Sequence, residues 1–286
     1  MSKNIKSFFS LMIILLGIFH VGSVRALAVE DKYPQRIVSL APFLTEELYL
    51  LGVEDRIVGV TSYCTRPEQA QTKEKVGSVK EVNVEKIVML KPDIVLASPL
   101  SDVKAKNKLN SLGIEIIEFS AAKNFTQICE QMEELGRIVG AQEKTQAIIR
   151  KALIKVTRIG KDIAELPKPK VFIQVGANPL FTMNKDYFIH DLIVRAGGIN
   201  IAAESCSGIY SREKVVEANP DCIIIVNMGI VGEKEKTMWQ QHGMLNAVKN
   251  SRIYIIDSYI VCSPTPVSFV ESLKKIVAFL HQKGKK

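Results

Sequence analysis

The stretch Ala141–Leu166, with the sequence AQEKTQAIIRKALIKVTRIGKDIAEL, predicts one long helix in the middle of the chain. Its apolar residues recur every three or four positions, as on one face of a helix. Pro167 ends the pattern, because proline lacks the N–H that a helix interior needs. At about 1.5 Å per residue, such a helix would extend about 39 Å, the span of a small domain. The same pattern is typical of an ordinary surface helix, so the sequence on both sides is needed to show whether the helix joins two similar lobes. The apolar positions are Ile149, Leu153, Val156, Ile159, Ile163 and Leu166.

The sequence before this helix alternates strands and helices. A strand at Arg36–Leu40 is followed by a helix from about Thr45 to Gly52, and a helix at Phe125–Val139 with Gly140 at its end leads into the long one. Alternation of this kind indicates a parallel sheet covered on both faces. The other expected elements are strands at 57–60, 93–97 and 114–119 and a short helix at 83–91.

A similar order of strands and helices follows the long helix. It has strands at 170–175, 221–226 and 252–256 and helices at 186–196 and 211–219. The repeat is clearest where Asn83–Val88 with Pro92–Asp93 aligns, without a gap, with Ser211–Val216 and Pro220–Asp221, a displacement of 128 residues.

The sequence therefore predicts an α/β fold of two Rossmann-like lobes with mostly parallel sheets, joined by one long α-helix. The expected boundaries are residues 29–124 for the N-lobe, 125–167 for the connecting helices and 168–286 for the C-lobe. A small-molecule site is expected between the lobes, at the carboxyl ends of both sheets.

The first 28 residues predict a secretory signal peptide. Lys3 and Lys6 precede an apolar run at 8–19, and small residues end at Ala28, where cleavage is expected. This run is too short to span a bilayer, which needs about 20 residues. The first cysteine is Cys64, so no lipid anchor is expected, and the mature chain is predicted to be soluble and exported. We also expect a location in the periplasm and a monomer.

Charge and motifs exclude several classes of function. The net charge is +8, but three basic residues lie in the predicted signal peptide and three more at 283, 285 and 286. No clustered basic stripe remains, so nucleic acid is not an expected partner. The sequence contains no phosphate-binding loop, nucleophile elbow or histidine-pair zinc motif. An enzyme is therefore disfavoured, and no intrinsic cofactor is expected.

The five cysteines are an odd number, so an oxidising compartment would leave at least one thiol unpaired. Cys64, Cys206 and Cys262 lie in loops that would converge at the mouth of the site. We expect a disulfide between two of these three, and rank it above a soft-metal thiolate site.

Glu85 and Glu213 occupy equivalent places in the repeat, as the second residue of a short helix. The helix dipole favours a carboxylate there by about 0.3–1 kcal/mol, so either glutamate alone has a local explanation. Their recurrence favours a second role, in which one carboxylate per lobe binds an arginine of a two-fold symmetric partner.

The mature chain resembles the helical-backbone (class III) periplasmic binding proteins that deliver cobalamin, iron–siderophores or haem to ABC importers. In that family two glutamates at the lobe tops meet arginines of the inner-membrane permease dimer, and the resemblance implies this role for Glu85 and Glu213. The matching stretches are 39–42 with 45–46, 59–63, 84–87 with 91–93, 176–182, 196–200 and 211–213.

The resemblance also implies ligand contacts. Tyr63, Phe181 and Asp257 match positions that line the cobalamin cleft of the family. The tryptophans that cobalamin binders place beside their glutamate helices are absent, with Val79–Lys80 and Ile209–Tyr210 in those segments. A corrinoid, an iron–siderophore and haem therefore all stay open. The full predicted ligand-binding set is Tyr63, Arg66, Lys80, Phe181, Tyr210, Asp257 and Tyr259.

The expected function is the solute-binding component of an ABC importer, which binds a metal chelate between its lobes and delivers it to the permease. Aromatic rings would supply the contact area, and Arg66, Lys80 and Asp257 would orient the ligand. A haem-binding protein of the same class and an extracytoplasmic sensor or interaction domain are the alternatives.

Overall fold

Two four-stranded parallel sheets organise the fold in the computed structural model, which describes residues 33–227 and 232–281. The predicted signal peptide and the lysine-rich end lie outside the described residues. The strands are β1 (Ile37–Ser39), β2 (Ile57–Val60), β3 (Ile94–Ala97), β4 (Glu115–Glu118), β5 (Lys170–Gln174), β6 (Gly176–Ala177), β7 (Leu180–Phe181), β8 (Ile199–Asn200), β9 (Cys222–Asn227) and β10 (Ile253–Asp257).

The two sheets have the same strand order, which confirms the predicted α/β repeat. The first sheet runs β2-β1-β3-β4 and the second β8-β5-β9-β10, with every neighbouring pair parallel. Strands β1 and β3 are buried throughout, and β9 is buried up to its last residue. Such continuous apolar strands are typical of a parallel sheet covered by helices on both faces.

Eleven α-helices are described in residues 33–227 and 232–281, and the antiparallel pair β6–β7 forms a separate hairpin. Within these residues, every helix is too short or too polar to span a bilayer. The helices are α1 (Pro42–Leu51), α2 (Val84–Met89), α3 (Val103–Ser111), α4 (Phe125–Val139), α5 (Gln142–Asp162), α6 (Phe188–Arg195), α7 (Arg212–Ala218), α8 (Gly232–Gln240), α9 (Asn246–Lys249), α10 (Ser258–Cys262) and α11 (Pro266–His281).

The long helix α5 is shorter than predicted. It ends at Asp162 rather than Leu166, so its 21 residues extend about 32 Å. The backbone turns more tightly after Asp162, where the Leu166 N–H donates to the Ile163 carbonyl. A residue directly before a proline is disfavoured in a helix, so Leu166 cannot continue α5 into Pro167.

The buried face of α5 also differs in one position from the prediction. Ile149 and Val156 are buried as expected, but Ala152 is buried between them while Leu153 is 48% exposed. Helix α5 packs against α4 and against α11, the last helix of the chain. The predicted α4 is confirmed at both ends, with Gly140 in the left-handed conformation at φ 74°.

One hydrophobic core is shared by the two sheets. It contains Leu44 of α1, Phe125 of α4 and Leu273 of α11, and two smaller clusters each line the other face of one sheet. The described residues from Tyr33 onward form one compact unit. The lobe boundaries at 124 and 167 therefore stay predictions, and we use N-lobe and C-lobe for the parts of the chain before and after α4–α5.

Helix α1 begins three residues earlier than predicted. Pro42 occupies its first turn, where a missing N–H costs nothing, and Gly52 ends it at φ 73°. Glu46 and Glu47 consequently lie in the second turn rather than the first. The sequence analysis predicts no residue range for helices α3, α8, α9, α10 and α11.

The repeat extends to backbone conformation and hydrogen bonds. Lys91 and Asn219, which are 128 residues apart, both have φ 46° and both precede the proline that ends the short helix. The following Asp93 accepts hydrogen bonds from the two N–H groups ahead of β1, at 2.6 and 2.8 Å. Asp221 accepts one from the first residue of β5 at 2.9 Å. In each lobe, an aspartate at the equivalent position after the short helix therefore holds the start of a central strand.

Candidate ligand cleft and docking helices

Two predicted ligand residues that are 193 positions apart contact each other across the lobes. The Arg66 backbone N–H donates to the Tyr259 hydroxyl at 3.2 Å, and that hydroxyl donates to the Arg66 carbonyl at 3.4 Å. The guanidinium carbon lies 4.7 Å from the centre of the Tyr259 ring, within the range of a cation–π contact. Burial, followed by the negative charge of Glu46, raises the pKa of Tyr259. Tyr259 therefore remains a neutral phenol held on Arg66.

A cavity of about 780 Å³ adjoins this contact. Both lobes line it, with α1 and the segment 54–73 on one side and Glu271 of α11 on the other. Its volume is in the range of small-molecule sites, about 300–1,000 Å³. Of the residues that line it, the sequence predicts only Arg66 as a ligand contact. The charged side chains in the wall are Glu46, Glu54, Asp55, Arg66, Lys73 and Glu271.

Glu46 is the most perturbed carboxyl group in the cavity wall. Burial raises its pKa to about 7, Arg66 lowers it, and Glu271 raises it. Its Oε2 atom is buried and has no hydrogen-bond partner among the described residues. A carboxyl group in this position can change its charge near neutral pH. The neighbouring Glu47 is fully buried, and burial raises its pKa further.

Phe181 lies at the end of the β6–β7 hairpin and contacts the segment before α7. Its carbonyl accepts a hydrogen bond from Val175 at 2.8 Å, and it forms a bridge with Ile209. Its ring covers Gly208 so closely that a Cβ atom there would collide with it. Gly208 therefore has to be a glycine for the ring to keep this position. Phe181 is partly buried, and its predicted ligand contact remains untested.

The other predicted ligand residues have diverse surroundings. Tyr63 is 62% exposed, and Lys80 is also exposed. The Asp257 carboxylate accepts a hydrogen bond from the Tyr259 N–H at 2.7 Å and caps α10. Tyr210 packs on Phe172, with ring centres 5.8 Å apart. The ligand roles of these four residues stay predictions, and Tyr210 is the one most engaged by the core.

Glu85 and Glu213 lie where the repeat predicts them. Each is the second residue of its helix and is exposed. The helices have equivalent caps, in which the side chain of Asn83 or Ser211 accepts a hydrogen bond from the backbone N–H three residues later. Hydrogen bonds from its own backbone and from Ser211 lower the pKa of Glu213, so its carboxylate is charged at neutral pH.

A buried polar network, which the sequence did not predict, holds α7 in place. Arg212 donates to the Glu235 carboxylate at 2.6 Å, and Gln174 donates to the same oxygen at 2.8 Å. The Trp239 indole N–H donates to Gln174 at 2.7 Å, and the Arg212 guanidinium lies 4.8 Å from the Trp239 ring centre. Burial raises the pKa of Glu235, but the hydrogen bonds from Gln174 and Arg212, together with the positive charges of Arg212 and Lys234, outweigh burial and lower the pKa from its ordinary value.

The cysteine expectations are corrected. All five cysteines are free thiols, so the expected disulfide is not formed. Cys64 is fully buried, with the Thr45 and Thr61 hydroxyls 3.1 and 3.2 Å from its sulfur, while Cys206 is exposed. Burial raises the pKa of Cys262 to about 11. Among the described residues no three histidine, cysteine or acidic side chains form a group that could hold a metal ion, so the alternative of a thiolate site at the three loop cysteines finds no support.

Comparisons with known proteins agree with this architecture. The family model described as "Periplasmic binding protein" matches residues 37–260. A Bacillus subtilis (strain 168) protein described as an uncharacterized ABC transporter substrate-binding lipoprotein is 33% identical, over 87% of this chain and 81% of its own. The vitamin B12-binding protein of Salmonella typhimurium is 34% identical, over 69% of this chain and 74% of its own.

A solved structure has the same fold. The crystal structure of the periplasmic vitamin B12 binding protein of Vibrio cholerae superposes with a TM-score of 0.76 at 26% identity, covering 88% of this chain and 99% of that one. The chain therefore belongs to the periplasmic binding protein family. Its fold is that of the class III members of this family, as the resemblance in sequence implied.

Proposed function

We propose that this protein is the periplasmic solute-binding component of an ABC importer, and that it binds a metal chelate between its two lobes. The observation that carries the proposal is the pair Glu85 and Glu213, exposed at equivalent positions of two lobes with the same strand order. A symmetric pair of carboxylates suits a partner with two equivalent cationic sites, as a permease dimer offers. The family and the relatives are named as binding proteins, which gives the enzyme alternative no support.

We propose a corrinoid or an iron–siderophore as the ligand. The relatives named for vitamin B12 favour the corrinoid over the haem alternative. The exposed ring of Tyr63 and the partly buried ring of Phe181 would supply apolar contact area. Arg66, Lys80 and Asp257 would bind the amide, carboxylate or phosphate groups of such a ligand.

Ligand entry would change the contact between Arg66 and Tyr259. In the structure the Tyr259 hydroxyl is hydrogen-bonded to the Arg66 backbone, and the Tyr259 ring lies against the Arg66 guanidinium. A chelate that binds Arg66 has to compete with Tyr259 for the guanidinium face. The long α5, packed on both α4 and α11, would restrict the accompanying lobe motion to a small amplitude.

We also propose that the protein is exported. The N-terminal pattern, with cleavage expected after Ala28, agrees with the periplasmic location in the name of the Vibrio cholerae relative. The Bacillus subtilis relative is described as a lipoprotein, whereas here the first cysteine is Cys64, which is buried. N-terminal sequencing of the exported protein should begin at Val29, and a lipid-modified N-terminus or a start at Met1 would contradict this.

A ligand panel tests the proposed function. The purified mature protein is titrated with cyanocobalamin, a ferric hydroxamate siderophore and haemin by isothermal calorimetry. We expect one of the first two to bind with a Kd of about 1 µM or tighter. Arg66→Gln should weaken that binding, while the matched surface variant Arg150→Gln on α5 should not. Tight binding of haemin alone would favour the haem alternative, and binding of none of the three would contradict a chelate carrier of these types.

A further inference from the structure

An exposed valine accompanies each of the two repeated glutamates. Val88 lies three residues after Glu85 on α2, and Val216 lies three residues after Glu213 on α7. Residues three apart on a helix share a face. Val88 is 40% exposed and Val216 is 37% exposed. We call the Glu85–Val88 and Glu213–Val216 pairs the two docking faces.

Adjacent positions in the repeat have opposite burial. Ile87 and Val215, one residue before each exposed valine, are fully buried and anchor their helices in the lobes. The core therefore has its own apolar residue in each helix and does not account for the second one. Valine is also a weak helix former, so local stability does not favour it on the exposed side of a short helix.

We propose that Val88 and Val216 are contact residues for a two-fold symmetric protein partner, which would cover each docking face with a cationic group on the glutamate and an apolar side chain on the valine. This rests on the proposed function and identifies the partner with the ABC permease dimer. Charge complementarity commits the surface to this occupant, because Glu85 and Glu213 are exposed carboxylates that no described cation neutralises through an ion pair.

The two docking faces differ in one neighbour. Met89 follows Val88 and is 76% exposed, whereas the equivalent residue beside Val216 is the exposed Glu217. The N-lobe face is therefore the more apolar and the C-lobe face the more acidic. The partner is expected to bury more apolar surface on α2, so substitution of Val88 should weaken binding more than substitution of Val216.

The experiment measures the affinity of the mature protein for its ABC permease complex in nanodiscs. In the test variant, Val88→Gln and Val216→Gln are combined, since glutamine is polar, uncharged and a good helix former. In the matched control, Leu153→Gln and Ile154→Gln change two exposed apolar residues of α5, outside both docking faces. A third variant, Glu85→Gln with Glu213→Gln, tests the carboxylates separately.

We expect the valine variant to bind the permease about tenfold more weakly, since two half-exposed valines lose their apolar contact. Its affinity should keep the salt dependence of the wild type, because both ion pairs remain. The glutamate variant should lose both affinity and salt dependence. The α5 control and the chelate affinity of all variants should be unchanged.

Three outcomes would overturn the inference. Wild-type affinity of the valine variant, alongside weaker binding of the glutamate variant, would remove the valines from the interface and leave the proposed function intact. An equal loss in the α5 control would show that the effect is not specific to the docking faces. Wild-type affinity of both the valine and the glutamate variants would contradict the docking part of the proposed function itself.

Discussion

The two lobes have the same sheet order but treat a buried glutamate in opposite ways. In the C-lobe, Glu235 is paired with Arg212 and hydrogen-bonded to Gln174, and its pKa is lowered from its ordinary value. In the N-lobe, Glu46 lines the inter-lobe cavity with one oxygen unpartnered, and its pKa is raised to about 7. A shared topology therefore does not fix the electrostatics, which depend on which side chains meet across elements.

The two lobes also differ in α2 and α7, the helices that carry the two docking faces. At the position where α7 has Arg212, α2 has Val84. Of these two helices, only α7 forms a mostly buried ion pair among the described residues, with Glu235 of α8, which Gln174 in turn links to β5. The ion pair of α2 joins Lys86 to Glu74 and is exposed. The C-lobe docking helix should therefore be the more rigidly held of the two.

The largest expected effect is the loss of the C-lobe ion pair. Glu235→Gln leaves the Arg212 guanidinium without its carboxylate in a mostly buried position, and should lower the free energy of unfolding by about 3 kcal/mol. Lys86→Met removes the matching exposed pair and should cost less than about 1 kcal/mol. Urea denaturation at pH 7 measures both, and equal effects would contradict the difference in anchoring.

The second prediction uses the opposite pKa shifts. The pKa of Glu46 is raised to about 7 when the protein folds. Burial of its carboxyl group therefore does not lower the free energy of unfolding below pH 4.5, where the group is neutral in both states, and lowers it fully above pH 7. Glu46→Gln should therefore stabilise the protein by about 2 kcal/mol at pH 8 and have little effect near pH 4.5. The effect of Glu235 on stability has the opposite sign. Because its pKa is lowered in the folded protein, its carboxylate contributes stability above pH 4.5, and this contribution is lost as the pH falls further.

Thermal unfolding of both variants between pH 4 and 8.5 checks these signs. The gain from Glu46→Gln should increase as the pH rises, while the loss from Glu235→Gln should shrink as the pH falls below 4.5. A gain from Glu46→Gln that does not depend on pH would contradict the assignment of Glu46 as the titrating group.

A third, smaller effect concerns the β6–β7 hairpin after β5. A methyl group at Gly208 would collide with the Phe181 ring, so Gly208→Ala should destabilise the protein by about 1–2 kcal/mol and weaken chelate binding. Gly160→Ala on α5 meets no atom within 4 Å and should stabilise the protein by about 0.5–1 kcal/mol. Denaturation curves for both variants test this contrast, and a neutral Gly208→Ala would show that the ring is free to move.

The sequence predicted the repeat because its determinants are local. Asn83 and Ser211 cap helices whose prolines and aspartates follow at fixed distances, and a cap acts within one turn. Buried strands such as β9 read as continuous apolar runs. Gly140 likewise indicated the end of α4 from its residue type alone.

The features that the sequence missed depend on contacts between distant parts of the chain. Glu235 is 61 residues from Gln174 and 23 from Arg212, and no local spacing relates them. The cavity at Glu46 requires α11 to approach α1. The free state of the thiols likewise depends on tertiary structure, which places Cys64 in the interior beside Thr45 and leaves Cys206 exposed. Trp239 was the one hint of the C-lobe network, since a lone tryptophan with a polar N–H needs a buried partner.

The most direct test of delivery through the docking faces is an uptake assay with Glu85→Lys combined with Glu213→Lys. The control combines Glu115→Lys and Glu143→Lys, two exposed glutamates outside α2 and α7. We predict that the docking variant binds its chelate within a few-fold of the wild type but supports no uptake, while the control transports normally. Uptake by the docking variant at the wild-type rate would contradict the proposed role of Glu85 and Glu213.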